Sequence, residues 1–181
     1  MHSTHHIFRS RFPPVPVPVN QTLPEFVLHD SENYGDKTAF AEINGKSYTY
    51  NEVARDTRRF AKALRSLGLR KGTVVLVILP NVAEYGIIAL GIMSAGGVFS
   101  GVNPASHVSE IRKQADGSGA RLIVTDAHTF PKVKGLSLPS ILLGEEEVEN
   151  AMNWGYVCPS VLFRDYGSFK GCNVDAYELG G

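Results

Sequence analysis

The sequence predicts an α/β domain in which strands and helices alternate around a mostly parallel sheet, and three observations carry that expectation. The run Thr73 to Leu79 (TVVLVIL) is nearly all apolar and β-branched, so it has no polar face to give to water. Such a strand belongs in a sheet covered on both sides. Downstream of it the hydrophobic pattern alternates between helix-like and strand-like segments, which implies βαβ units and a parallel sheet. Upstream, two capping boxes at Thr22 and Thr49 open helices that can pack on that sheet.

Taken in chain order, residues 1–19 include the proline-rich PPVPVPV (Pro13 to Val19), where each proline fixes φ and removes a donor. This predicts an extended arm lying along the surface. A PxxP match between Pro13 and Pro16 is the alternative reading, as a ligand for a proline-binding module. Thr22-Leu23-Pro24-Glu25 predicts a helix from Leu23 to Tyr34, stopped by Gly35. Two β-type runs, Thr38 to Ile43 and Lys46 to Tyr50, flank Asn44-Gly45 and predict a hairpin with a two-residue type I′ turn.

Thr49-Tyr50-Asn51-Glu52 then opens a long helix. Val53, Phe60, Ala61, Leu64 and Leu67 form its buried stripe, and Gly68 ends it. Arg55, Arg58, Arg59, Lys62 and Arg65 line the opposite side, as a solvated face or a cradle for an anion. After the strand at Thr73 to Leu79, Pro80 breaks the pairing, and Asn81 with Glu84 is expected to cap a helix from Val82 to Ala95. That helix is apolar almost all round, which marks a buried element. Gly96-Gly97 breaks it and a strand follows over Val98 to Val102. Asn103-Pro104 turns the chain into a helix from His107 to Asp116, followed by strands at Arg121 to Thr125 and Ile141 to Leu143. Gly155 to Gly181 shows neither period, so little regular structure is expected there.

Composition narrows the function. Eighteen basic and 18 acidic side chains cancel among 181 residues, which gives no electrostatic ground for nucleic acid or an anionic membrane as partner. Cys158 and Cys172 are too few and too far apart for a structural zinc site or a disulfide framework. Met1-His2-Ser3-Thr4-His5-His6 has no apolar core of a secretory signal, and Val82 to Phe99 is too interrupted for a membrane span. A cytoplasmic chain is expected.

The strand ending at Leu79 leads into Pro80-Asn81-Val82 rather than GxGxxG, and the later GGVFSG run (Gly96 to Gly101) precedes a strand, so the pattern argues against dinucleotide binding. Gly45-Lys46-Ser47 imitates the end of a P-loop, but Phe40 stands where its first glycine is needed. There is no GxSxG elbow; His29 and His107 read as surface or cap residues; and Glu145-Glu146-Glu147 points three ways rather than at one metal. No residue is assigned as catalytic, cofactor-binding or metal-binding.

A longer pattern says more. NVAEYGIIALGIMSAGGVFSGVNP (Asn81 to Pro104), with IFRS (Ile7 to Ser10), YTYNEV (Tyr48 to Val53) and SLGLRKG (Ser66 to Gly72), resembles the N-terminal region of adenylate-forming enzymes. Among these it is similar to the plant 4-coumarate–CoA ligase-like group, and in particular to the fatty acyl-CoA synthetases of the pollen wall. The resemblance runs from Ile7 to Trp154 and implies the first N-terminal subdomain of such an enzyme, over residues 20–154, followed by a non-family tail over 155–181. It implies, for a full-length relative, ATP, Mg2+, coenzyme A and a carboxylic-acid substrate, fatty or 4-coumarate-like. The phosphate loop, acyl pocket and lysine-bearing C-terminal domain of that family have no counterpart here. Tyr48, Thr49, Tyr50, Gly96, Gly97, Asn103 and Pro104 match the family motif in structural roles, tight packing and turning. The expectation is therefore a fragment of an acid–CoA ligase, inactive alone. The other reading is a non-catalytic product that docks through an exposed sheet edge on a full-length relative or another protein. For the full-length enzyme the endoplasmic-reticulum surface and the peroxisome stay open as locations.

Overall fold

The computed structural model describes residues 10–14, 18–43 and 45–143, together with the backbone of Tyr156–Val157. Most of the expected tail and parts of the proline-rich arm lie outside the described residues, as do Glu145, Glu146, Glu147, Cys158, Cys172 and the histidines of the N-terminus.

The chain enters through α1 (Leu23–Leu28) and α2 (Ser31–Tyr34). The capping box at Thr22 is present, with the Glu25 carboxylate accepting from the Thr22 N–H at 2.7 Å. The single helix expected over Leu23 to Tyr34 is instead broken after His29. Asp30 takes a non-helical conformation and opens a new turn, with the Asn33 amide bonded to its carbonyl at 3.0 Å. Asp, Ser and Asn side chains at positions 30, 31 and 33 favour such local turns over a continuous helix.

Strands β1 (Thr38–Ala41) and β2 (Ser47–Thr49) form the expected antiparallel hairpin. Its loop is longer than expected. The Glu42 amide bonds the Lys46 carbonyl at 2.8 Å, so residues 43–45 make the connection, and the Gly45 amide returns to the Glu42 carbonyl at 3.1 Å. A three-residue loop with glycine at positive φ in its last position closes this way, and Gly45 has φ +95°. Asn44 lies outside the described residues.

Helix α3 (Tyr50–Ser66) starts at the second capping box, where Thr49 Oγ1 accepts from the Glu52 amide and the Glu52 carboxylate accepts from the Thr49 amide. The parallel sheet runs in the order β4 (Val98–Gly101), β3 (Val74–Ile78), β5 (Leu122–Asp126), β6 (Ser140–Leu143). The backbone of β7 (Tyr156–Val157) adds to β6 in parallel. This short pairing falls where no regular structure was expected; two residues that complete an open strand edge leave no period to read. Helices α4 (Glu84–Ser94) and α5 (Val108–Ser118) connect β3 to β4 and β4 to β5, and a short α6 (Phe130–Val133) precedes β6.

Alternate residues of β3 feed two cores. Val75 and Val77, with Leu79 just beyond the strand, meet Phe60 and Leu64 of α3 and Ile88 and Ile92 of α4. Leu76 and Ile78 meet Ile111 and Ala115 of α5, and Phe130 and Val133 of α6. The result is three layers, helices on either face of a parallel sheet, which is why β3 needs apolar residues at every position. Among the described residues no helix is long and apolar enough to cross a membrane.

Candidate functional site

The chain leaves β3 through α4 to reach β4 on one side, then returns through α5 to β5 on the other. Strand order reverses at β3, and in open α/β sheets ligands gather at the carboxyl ends of strands at such a point. The residues there are Pro80, Asn81 and the first turn of α4, with Asp126 at the end of β5.

The hairpin covers this end of α4. Glu84, in the first helical turn, is 4% exposed. Its Oε1 accepts from the Tyr48 hydroxyl at 2.9 Å and from Lys46 Nζ. The Glu42 carboxylate accepts from the Ala83 N–H at 2.7 Å. Glu84 thus does not serve as the local cap expected from sequence; Ala83 occupies the cap position, and the capping oxygen comes from Glu42, 41 residues earlier. Burial, the hydrogen bond to Glu84, and the negative charges of Glu84, Asp56 and Glu42 together push the Tyr48 phenol above its ordinary value.

The basic side of α3 is also more engaged than a solvated face. Arg55 forms a bidentate pair with the buried Asp56 at 2.8 and 3.0 Å, and Arg59 approaches the same carboxylate at 3.6 Å. Arg65 donates to the Ser94 and Ala95 carbonyls at the end of α4. Two of these arginines clamp a carboxylate of their own helix, and a third caps the end of α4.

The motif residues fall at three separate places. Thr49 caps α3. Tyr48 reaches Glu84, and Tyr50 stacks on Tyr34 with ring centroids 4.8 Å apart. Gly96 has φ +90°, and the Gly96 and Gly97 amides bond the Met93 and Ile92 carbonyls at 3.0 and 2.9 Å, a Schellman ending for α4. A Cβ on Gly97 would stand 3.0 Å from Ile92 Cγ2 and 3.2 Å from the Thr73 carbonyl oxygen. Asn103 Oδ1 accepts from the Ala105 amide at 2.9 Å, and the Pro104 carbonyl accepts from Lys132 Nζ at 2.7 Å. His107 caps α5 through the Ser109 amide, and His29 lies on the surface beside Phe26 and Asp30. Among the described residues, no three His, Cys, Asp or Glu side chains converge as a metal site.

This arrangement defines a doubly wound α/β unit whose first strand-to-helix junction is built from carboxylates rather than from a glycine-rich loop. The chain belongs to the AMP-binding enzyme family, whose model matches residues 27–153. It is 64% identical over 150 residues to 4-coumarate--CoA ligase-like 1 of Arabidopsis thaliana, covering 82% of this chain and 28% of that protein. It is 55% identical over 152 residues to 4-coumarate--CoA ligase-like 9 of Oryza sativa subsp. japonica, covering 82% and 27%. The chain therefore spans little more than a quarter of the length of these curated relatives. A benzoate CoA ligase from Burkholderia xenovorans LB400 superposes with a TM-score of 0.63 at 25% identity, over 67% of this chain and 25% of that one. The luciferase-like enzyme of the Zophobas morio mealworm shares the fold with a TM-score of 0.67 at 20% identity, over 87% and 36%. The expected 4-coumarate–CoA ligase-like, adenylate-forming identity and the α/β class are thereby shown.

The residues present do not fit the phosphates of ATP. The helices that follow β3, β4 and β5 all have starts engaged by the chain's own side chains: Glu42 at Ala83 on α4, His107 with Glu110 on α5, and Asp126 on the Thr129 amide before α6. Among the described residues no glycine-rich loop stands before any of the three.

Proposed function

We propose that residues 20–154 are the opening part of an ATP-dependent acid–CoA ligase. The reaction of such an enzyme joins a carboxylate to ATP as an acyl-adenylate with loss of pyrophosphate. The thiol of coenzyme A then displaces AMP and leaves a thioester, and adenylation serves to replace hydroxide by a better leaving group. The substrate class is a fatty acid or a 4-coumarate-like aryl acid, and Mg2+ accompanies the nucleotide. The part played by this chain is structural: it provides β3 to β6 and the helices on both faces, and none of its described side chains is assigned to the reacting atoms. By itself it is inactive.

The observation that carries this reading is the continuous 64% identity to a CoA ligase-like protein across residues that build one coherent three-layer unit. A chimera tests it. Residues 20–153 of this chain replace the matching segment of the Arabidopsis relative, and acid-dependent ATP–pyrophosphate exchange is measured with 4-coumarate and with medium-chain fatty acids. The chimera is expected to keep the exchange activity of its parent, and the 181-residue chain alone to show none. A soluble, folded chimera without exchange activity, beside an active parent, would refute the proposal, as would exchange catalysed by the chain alone.

A further inference from the structure

In doubly wound folds the helix after the first parallel strand is where backbone N–H groups and the helix dipole hold phosphate. In this chain that helix is α4, and three amides around its start are held by the chain's own oxygens. The Val82 amide bonds the Pro80 carbonyl at 2.9 Å, the Ala83 amide bonds Glu42, and the Tyr85 amide bonds the Val82 carbonyl at 3.0 Å. A second carboxylate, Glu84, stands in the same turn, paired with the Lys46 ammonium and accepting from the Tyr48 hydroxyl of the hairpin.

We infer that Glu42 is a resident anion of α4: the hairpin delivers a carboxylate to the place a nucleotide phosphate would take, and so closes this βα unit to nucleotide. A negative group within the first turn satisfies a donor and complements the helix dipole, which is the same stabilisation a bound phosphate would give. An incoming phosphate would have to displace a carboxylate held at 2.7 Å while standing beside Glu84. The hairpin thus has a role beyond covering the core, because both its arms contribute to the closure: Glu42 just after β1, Lys46 just before β2 and Tyr48 within it. The inference concerns this chain's own residues and stands apart from the ligase reading; a failed chimera would leave it untouched.

Amide resonances of Val82, Ala83 and Tyr85 in the 181-residue chain report on it directly. Titration with inorganic pyrophosphate or MgATP is expected to leave them in place. In Glu42→Ala the Ala83 amide should exchange with solvent roughly tenfold faster, as loss of one capping bond allows. Formate should slow it again and raise the unfolding midpoint of that variant, with no such effect on the wild type. Glu42→Gln, which keeps an acceptor oxygen without the charge, gives an intermediate exchange rate. If Glu42→Ala does not fold, the wild-type titration and the Glu42→Gln exchange rate decide. Saturable shifts at Ala83 with pyrophosphate in the wild type would overturn the inference. So would Ala83 exchange that is unaltered by substitution of Glu42, or formate acting equally on wild type and Glu42→Ala.

Discussion

Removing Lys46 should cost more stability than removing the carboxylate it serves. Glu84 has a side chain 6% exposed, and one of its oxygens receives both the Lys46 ammonium and the Tyr48 hydroxyl. A hydrogen bond to a charged group is worth about 1.5–3 kcal/mol, and an unpaired buried charge costs more than a missing pair. Lys46 is 53% exposed, so solvent screens its share and the lower end applies. Lys46→Met should therefore destabilise by about 1.5 kcal/mol, and Tyr48→Phe by about the same. Glu84→Leu removes both bonds but also the burial penalty, and helix α4 is otherwise apolar, so its net cost should stay below about 1 kcal/mol. In the Glu84→Leu background, Lys46→Met and Tyr48→Phe should each become nearly neutral. Urea unfolding followed by far-ultraviolet circular dichroism on the six proteins measures the cycle. Equal costs of Lys46→Met in both backgrounds, or a Glu84→Leu cost above about 3 kcal/mol, would refute the reasoning.

Other perturbations read other parts of the same assembly. The Tyr48 phenol is raised in the folded chain, so its contribution is complete below the unfolded value near 10 and is lost as pH rises towards the folded one. The stability gap between wild type and Tyr48→Phe should accordingly hold from neutral pH to about 10 and narrow above it, by urea titration at each pH. Glu52 is lowered, first by the Thr49 backbone N–H, so its capping contribution is present above about pH 4.3 and lost as pH falls through its folded value. Glu52→Ala should destabilise at pH 7 and become indistinguishable from wild type at acid pH. Gly91→Ala places a methyl 2.6 Å from Phe60 Cδ1 and 3.3 Å from the Thr57 carbonyl oxygen. Overpacking of about 1–3 kcal/mol should outweigh the gain of about 1 kcal/mol in helix propensity, and adding Phe60→Leu should recover part of the loss.

The parts of the fold legible in the sequence are those whose cause is local. Both capping boxes, the antiparallel hairpin, the apolar strand at β3 and the glycine stop after α4 each depend on neighbours within a few positions, and each forms where the pattern puts it. The break between α1 and α2 is not legible from the capping box and the distant glycine, which delimit a single helix, because Asp30 competes for the backbone in between. At the site the hidden information is long-range. Glu42 and Ala83 are 41 positions apart and Tyr48 and Glu84 are 36 apart, so no window on the sequence joins them. One signal was available: Glu84 is the only acidic residue in an otherwise apolar helix, and a buried charge requires a partner. That partner is not the local cap that Asn81 and Glu84 suggest, but the hairpin 36 to 38 positions earlier.

The same helix explains why carboxylates are needed there at all. An amphipathic helix finds its rotation on a sheet from its apolar stripe, as α3 does with Phe60, Ala61 and Leu64. Helix α4 has apolar residues on every side, so burial alone leaves its rotation poorly determined. Two features supply what the stripe cannot. Gly91 lets Phe60 of α3 approach closer than any side chain there would allow, and Gly86 does the same for Phe40 of the hairpin. Glu84 then fixes the start of the helix, because only one rotation brings it to Tyr48 and Lys46. Moving α4 about its axis would strand that carboxylate in the core and drive side chains into the two phenylalanine rings that now meet Gly86 and Gly91. The charged cluster therefore sets the register of a buried helix, in the way a single polar residue sets the register of an apolar seam. Placing Glu42 on the Ala83 amide follows from the same docking, so the closure of the βα unit and the orientation of α4 have one origin in the hairpin.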